Sequence, residues 1–324
     1  MKLARSLFAL PLAAALALAA TQGLHAQSTW PDKPVRIVVP LPPGGPSDIV
    51  LRTAIEKMQP ILKQPLIIDN KPGAAGNLGA AEAARAAPDG QTWLWTTDTL
   101  LTVNPHVYAK LGFKPEDLMP VMRASAFSQT LVCNPGLGVK TVAELVSRAK
   151  SKPLSYASGG TGSPGHLCTE LFKSVAGIDM THVPYKGPAP AMQDVMGGQV
   201  DCGFLAGPTV LPHVRAGKLV ALAVSGAQRS LLLPEVPTIA EAGYPGFDAT
   251  FSLVLFAPKG TPKSIVDTMS KALDAALKQP DVIERLRLSD QTVVAASPED
   301  SAARIAADTK TWGAVVKRIG LQPD

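Results

Sequence analysis

Residues 154–170 read Leu154-Ser-Tyr-Ala-Ser-Gly-Gly-Thr-Gly-Ser-Pro-Gly-His-Leu-Cys-Thr-Glu170, and this stretch decides the fold. Its first residues, 154–157, have strand character. From His166 onward the spacing of Leu167, Leu171, Phe172 and Val175 predicts a helix. The turn between them is built of glycine, serine and threonine and closes with Pro164 and Gly165. Such a turn leaves backbone N–H groups without acceptors and aims them outward. With the helix dipole behind them they make an anion site. Ser158, Thr161 and Ser163 add hydroxyl donors, so Ser158, Thr161, Gly162, Ser163 and His166 are candidate ligand residues. The competing reading is a tight turn that binds nothing, with His166 and His182 as structural histidines.

The turn also imitates two catalytic signatures. Gly160, Gly162 and Gly165 spell G-x-G-x-x-G after a strand, as in a dinucleotide fold. That motif needs an acid at the end of the next strand, and residues 180–183 run instead into Pro184 and Tyr185. Thr161-Gly-Ser163-Pro-Gly165 misses the nucleophile elbow G-x-S-x-G by its first glycine. An elbow serine also needs a histidine late in the chain, and the last one, His213, stands well before the C-terminus. An exported serine hydrolase using Ser163 is therefore the runner-up. H-E-x-x-H, P-loop and C-x-x-C patterns are missing, and no catalytic residue, metal ligand or cofactor is expected.

Lys2 and Arg5, an apolar run over 7–20 and polar residues over 21–28 form the pattern of a secretory signal peptide, cut after Ala26. A periplasmic location is expected. The formal charge of +5 drops to +3 without Lys2 and Arg5. With no basic stripe interleaved with aromatics, nucleic acid is not an expected partner. Cys133, Cys168 and Cys202 form no metal-ligand cluster. At most one disulfide is possible, and all three read as small buried apolar residues.

Along the chain, a strand at Val35–Val39 leads into Leu41-Pro-Pro-Gly-Gly-Pro-Ser-Asp48 and a helix carrying Ile49, Val50, Ile55 and Met58. Ser47 or Asp48 reads as the N-cap. Strands at 66–69 and 92–96 and a helix at 78–85 complete three β-loop-α units, which indicate a parallel sheet covered on both faces. Thr97 and Asp98 then stand at the C-terminal edge of that sheet, where ligands of parallel sheets sit. A carboxylate there would accept from an ammonium, hydroxyl or ring N–H, unless Asp98 caps a helical stretch over 99–103.

An extended crossing over 121–132 follows, and Thr141 with Glu144 makes a capping box for a helix at 142–149. The organising turn comes next. Tyr185 stands at the end of the following strand, facing a presumed cleft, and could stack on a ligand. Asp201, in a glycine turn ahead of another strand, either orients that turn or reaches the ligand. A loop with a short helix spans 234–244, and a second crossing spans 247–257. Helices open at Thr261-Pro262 and at Ser297, the second stopping at Gly320. Arg52 and Glu170 read as structural, pairing within or between helices. Two α/β sets joined by two crossings predict a hinged two-lobed receptor. Residues 27–124 and 248–324 would form one lobe, and 125–247 the other.

These residues resemble a known family. Its first lobe is matched by Pro42-Pro-Gly-Gly45 with Asp48, Asn70-Lys-Pro-Gly-Ala74 with Gly76 and Gly79, and Pro88-Asp-Gly90. Its second is matched by Gly160-Thr-Gly-Ser163 with His166, His182-Val-Pro-Tyr-Lys-Gly187, Gly197-Gly-Gln-Val-Asp201, and Pro237-Thr238 with Glu241-Ala-Gly243. The chain is similar to the periplasmic solute-binding proteins of tripartite tricarboxylate transporters, the Bug receptors. The resemblance implies a monomeric, non-catalytic flytrap with two doubly wound α/β domains closing on a small carboxylate. It would pass that carboxylate to integral-membrane transporter subunits or to a sensor.

In that family two glycine-rich loops pinch the carboxylate through N–H groups and hydroxyls. Here they correspond to residues 158–166 and 41–48, which adds Leu41, Pro42, Gly44, Gly45, Ser47 and Asp48 to the candidates. Ser252 and Val254 stand where the family often has Trp and Gly, which leaves the ligand's far contacts open.

Overall fold

A computed structural model describes residues 30–322. The signal-peptide reading of residues 1–26 lies outside the described residues. The strands are β1 Val35–Val39, β2 Leu66–Asn70, β3 Thr92–Thr97, β4 Leu118–Phe127, β5 Gln129–Cys133, β6 Ser155–Ser158, β7 Thr181–Pro184, β8 Cys202–Ala206, β9 Val220–Val224, β10 Phe251–Pro258 and β11 Gln291–Val293. They form one sheet in the order β11-β4-β10-β3-β1-β2 and another in the order β7-β6-β8-β5-β9.

The longer helices are α1 Pro46–Leu62, α2 Asn77–Ala84, α3 Val142–Ser151, α4 Pro164–Ala176, α5 Pro188–Gly197, α6 Gly207–Arg215, α7 Lys263–Leu277, α8 Pro280–Leu288 and α9 Pro298–Ile319.

Strands buried on both faces need helices on both. In the first sheet, Trp93 and Trp95 pack with Leu51 and Met58 of α1 and Met269 and Leu273 of α7. On the opposite face Leu94, Val38 and Phe256 pack with Ala80 and Ala83 of α2 and Ile305 of α9. The second sheet repeats this plan. Leu131 and Phe204 meet Leu145 of α3 and Phe172 of α4, while Val132 and Leu205 meet Val195 of α5 and Val210 of α6. The end of α9 joins the second sheet's cluster, where Trp312 stacks on Phe251 at 5.4 Å.

Register brings the edges of the two sheets together. β1 and β3 are parallel, and β10 runs antiparallel to β3 with Leu253 opposite Thr97. Phe251 pairs with Phe127, so β4 ends at the edge where β1 and β3 end. One residue later Gln129 starts β5, opposite Ala206 at the end of β8 and next to Val224 at the end of β9. β6 runs parallel to β8, so Ser158 lies at that edge too. The C-terminal edges of both sheets therefore meet at Ser128. The returning crossing is tied there by Ser225, whose Oγ accepts from Gln129 N–H at 2.9 Å and donates to Ala249 O at 2.8 Å.

Several local expectations change. The N-cap of α1 is Gly45, not Ser47 or Asp48, because Pro46 with its fixed φ takes the first helical turn. Residues 234–244 hold turns and no helix. Thr238 and Glu241 exchange backbone-to-side-chain bonds as a capping box does, but Gly243 and Pro245 stop propagation. Helices α6 and α8 and strand β11 were not expected. Cys133 and Cys202 face each other in register and are joined by a disulfide, so two of the three cysteines are not plain apolar residues. Cys168 is a buried thiol, pushed up to about 12 by burial. The Thr141–Glu144 capping box and the Ser297 and Gly320 ends of α9 are present.

Candidate functional site

The loop after β1 is fastened by charge. Asp48 is buried; its Oδ2 accepts from Gly44 N–H at 3.0 Å, and Arg52 grips both oxygens at 2.7 and 3.1 Å. Burial opposes ionisation, yet the bonds from Arg52 and Gly44 outweigh it and hold the carboxyl below its usual range. Asn70 donates to Leu41 O at 3.0 Å. The Trp95 indole donates to Ser47 Oγ at 3.0 Å and to Ser47 O at 3.1 Å. The first bond of α1 runs from Ile49 N–H to Gly45 O. The N–H groups of Ser47 and Asp48 therefore have no acceptor among the described residues. Leu41, Pro42 and Gly45 line the rest of this loop.

The loop after β6 is fastened by hydroxyl, imidazole and backbone groups. Ser158 Oγ lies 2.7 Å from His182 Nε2 and accepts from Gly160 N–H at 3.2 Å. Gly162 N–H donates to His166 Nδ1 at 3.1 Å, and Ser163 N–H to Gly160 O at 3.1 Å. Ser163 Oγ caps α4 by accepting from His166 N–H at 3.4 Å. Thr161 sits in the middle, with a buried Oγ1 that has no partner among the described residues.

Gly160 and Gly162 need positive φ, of 124° and 76°. Gly165 serves close approach instead: a Cβ there would sit 2.2 Å from Phe204 O of β8. The third glycine of the G-x-G-x-x-G pattern thus packs a helix on a strand, as it does in dinucleotide folds.

Three expectations are corrected by this geometry. The N–H groups of Gly44, Gly160, Gly162 and Ser163 are turned inward, so only part of each loop's backbone faces out. Asp201 stands before β8, at the N-terminal edge and so at the opposite end of the sheet from the loop. Its Oδ2 accepts from Ser155 N–H at 2.7 Å and from Ser155 Oγ at 2.9 Å, which orients its turn. Asp98 does not cap the short helix Thr99–Thr102 with its side chain.

Asp98 is instead buried beside Ser252, Arg123 and Asp308, with Oδ1 unpartnered, and its N–H donates to Ser252 O at 3.0 Å. Burial, reinforced by Asp308, pushes its carboxyl up to about 7. Neighbouring Thr97 shares a 2.7 Å hydroxyl bond with Thr99. Tyr185 lies beside the second loop, its N–H donating to Ser158 O at 3.0 Å, while its phenol donates to Asp194 at 2.5 Å. Burial and Asp194 push that phenol up to about 12.

Ser163 Oγ is engaged by the His166 N–H as a helix cap. Among the described residues no three His, Cys, Asp or Glu side chains come together as a metal site, and no helix is long and apolar enough to cross a membrane. Arg52 pairs with Asp48 and Glu170 with Lys173, each within its own helix, as expected. Sequence reasoning missed the Ser158–His182 bond. The only signal for it is the parallel register that sets Tyr156 opposite His182.

Comparison with known proteins gives this geometry a family. The tripartite tricarboxylate transporter family receptor matches residues 50–321, and the chain belongs to that family. It is thus a solute-binding receptor with the two-lobed α/β fold of periplasmic binding proteins. Protein BugT of Bordetella pertussis is 35% identical over 310 residues, 94% of this chain and 95% of its own. The periplasmic binding protein BugD has a TM-score of 0.81 at 33% identity, over 91% of this chain and 100% of that one. An R. palustris protein solved with adipate scores 0.84 at 34% identity, over 91% of this chain and 100% of that one. MatC from Rhodopseudomonas palustris with bound malate scores 0.78 at 32% identity, over 89% of this chain and 100% of that one.

Proposed function

We propose that this chain captures a small dicarboxylate in the periplasm and hands it to a membrane transporter or a sensor, without catalysis and as a monomer. The lobes would be residues 27–124 with 248–324, and residues 125–247, closing about Ser128 and Ser225. The observation that carries the reading is Thr161. Its buried hydroxyl has no partner among the described residues, in a glycine loop at the edge where both sheets end. Across that junction, Ser47 and the open N–H groups of α1 supply the matching donors. No arginine lies in either loop, so hydroxyls and peptide dipoles would hold the anion. Adipate and malate in the similar structures support a dicarboxylate rather than a larger solute.

A thermal-shift screen of mature protein against mono-, di- and tricarboxylates, amino acids and aromatic acids tests this. A solute at about a hundredfold over its Kd stabilises by about 2.7 kcal/mol. The reading predicts such a shift for a short dicarboxylate with no product formed. Turnover of an ester, or shifts only with non-acidic solutes, would overturn it.

A further inference from the structure

We propose that His166 and His182 form a stacked imidazole splint that shapes the ligand loop, acting as positioning residues rather than as ligand contacts. The inference rests on the reading that this loop holds a carboxylate. A ring nitrogen that accepts an N–H bond carries no proton. Gly162 N–H donating to His166 Nδ1 at 3.1 Å therefore places that ring's proton on Nε2. His182 holds the other end of the loop, with Nε2 2.7 Å from Ser158 Oγ, the hydroxyl that also accepts from Gly160 N–H. The two rings lie 3.9 Å apart at 16°, so one positions the other.

Beneath them Tyr156 stacks on His182 at 4.8 Å. Its phenol is tied to Glu170 at 2.6 Å, and Glu170 to Lys173 at 2.7 Å, both on α4. The loop is thereby fastened at Gly160 and at Gly162, two glycines whose backbone has no Cβ to restrict it. Between them stands Thr161, with its buried hydroxyl unpartnered. The splint presents that one residue and lowers the ordering cost of binding.

The test uses side chains that copy one ring nitrogen at a time. Asn places an acceptor near Nδ1 and Gln one near Nε2, while Leu offers neither. Hydrogen exchange at the Gly162 amide reads the splint without ligand. It should speed up at least about tenfold in His166→Leu and return most of the way in His166→Asn. His182→Phe, which keeps the stack and loses the Ser158 bond, should loosen Gly160 more than Gly162. Calorimetry with adipate should show His166→Leu about tenfold weaker and His166→Asn within about threefold of wild type, with melting temperatures measured alongside. Unchanged Gly162 exchange in His166→Leu, or rescue by Gln and not Asn, would overturn the splint. If exchange behaves as stated and adipate fails to bind even wild type, the splint stands and the carboxylate reading falls.

Discussion

The loops after β1 and β6 do one geometric task by opposite means. Each turns from a strand end into a long helix and leaves donors at the junction of the sheets. The first is pinned by an ionised carboxylate, Asp48, balanced by Arg52. The second is pinned by imidazoles, a serine and close packing, with no carboxylate in contact. On the proposed reading, Arg52 offsets the negative charge that Asp48 sets close to the bound solute. The chain thus fixes the backbone of one loop with an ion pair and of the other without one, and the proposed reading makes both of them holds for a single anion.

Asp98 shows what happens when an acid at the first sheet's edge is not pinned by close bonds, and it gives the largest expected effect. The folded chain keeps its proton up to about pH 7, whereas an unfolded chain releases it near the ordinary aspartate value of 3.8. Stability attached to this group is therefore full below that lower value and drains away as pH rises through about 7. Asp98→Asn should raise stability at pH 8 by up to about 4 kcal/mol and change it little near pH 4. Denaturant unfolding across that range checks it, and a pH-independent difference would refute it.

Steric pinning comes next. Gly165→Ala should cost about 1–3 kcal/mol, because the new Cβ meets Phe204 O at 2.2 Å. Gly45→Ala in the first loop, whose Cβ would find Pro42 O only at 4.0 Å, should be nearly silent. Equal melting shifts in the two variants would erase the contrast.

The charged pin should also fail in acid. The Asp48 carboxyl is held below its usual range, so its contribution is present above the ordinary aspartate value and is lost as pH falls through the folded one. Asp48→Asn should cost about 1 kcal/mol at pH 7, since Arg52 is half exposed and partly screened, and less at about pH 2, well under the ordinary aspartate range. Unfolding curves at both pH values decide this.

Much of this is legible in the chain because glycine, proline and capping residues mark each turn. Ser297 capping α9 and Thr141–Glu144 capping α3 read directly from sequence. Helix α6 does not, because Pro212 inside it reads as a breaker. Within the site, the loops and the donor Thr161 are visible as residue types. What fastens them is not: His182 reaches Ser158 only through the parallel pairing of β6 with β7, which no local pattern encodes. Asp201 misleads for a reason that physics supplies. It precedes its strand, and a residue before a parallel strand lies at the edge away from the ligand.

The central claim is that one carboxylate-bearing solute is held by both loops at once. Calorimetric titration of adipate into wild type, Ser47→Ala and Thr161→Ala tests it most directly. Ser47 accepts from Trp95 and keeps its own proton to donate, and Trp95 retains Ser47 O after the substitution. Each variant should lose about 1–3 kcal/mol of binding, with an unliganded melting temperature close to wild type. Loss in one variant with full affinity in the other would show that a single loop carries the solute, and would contradict the account.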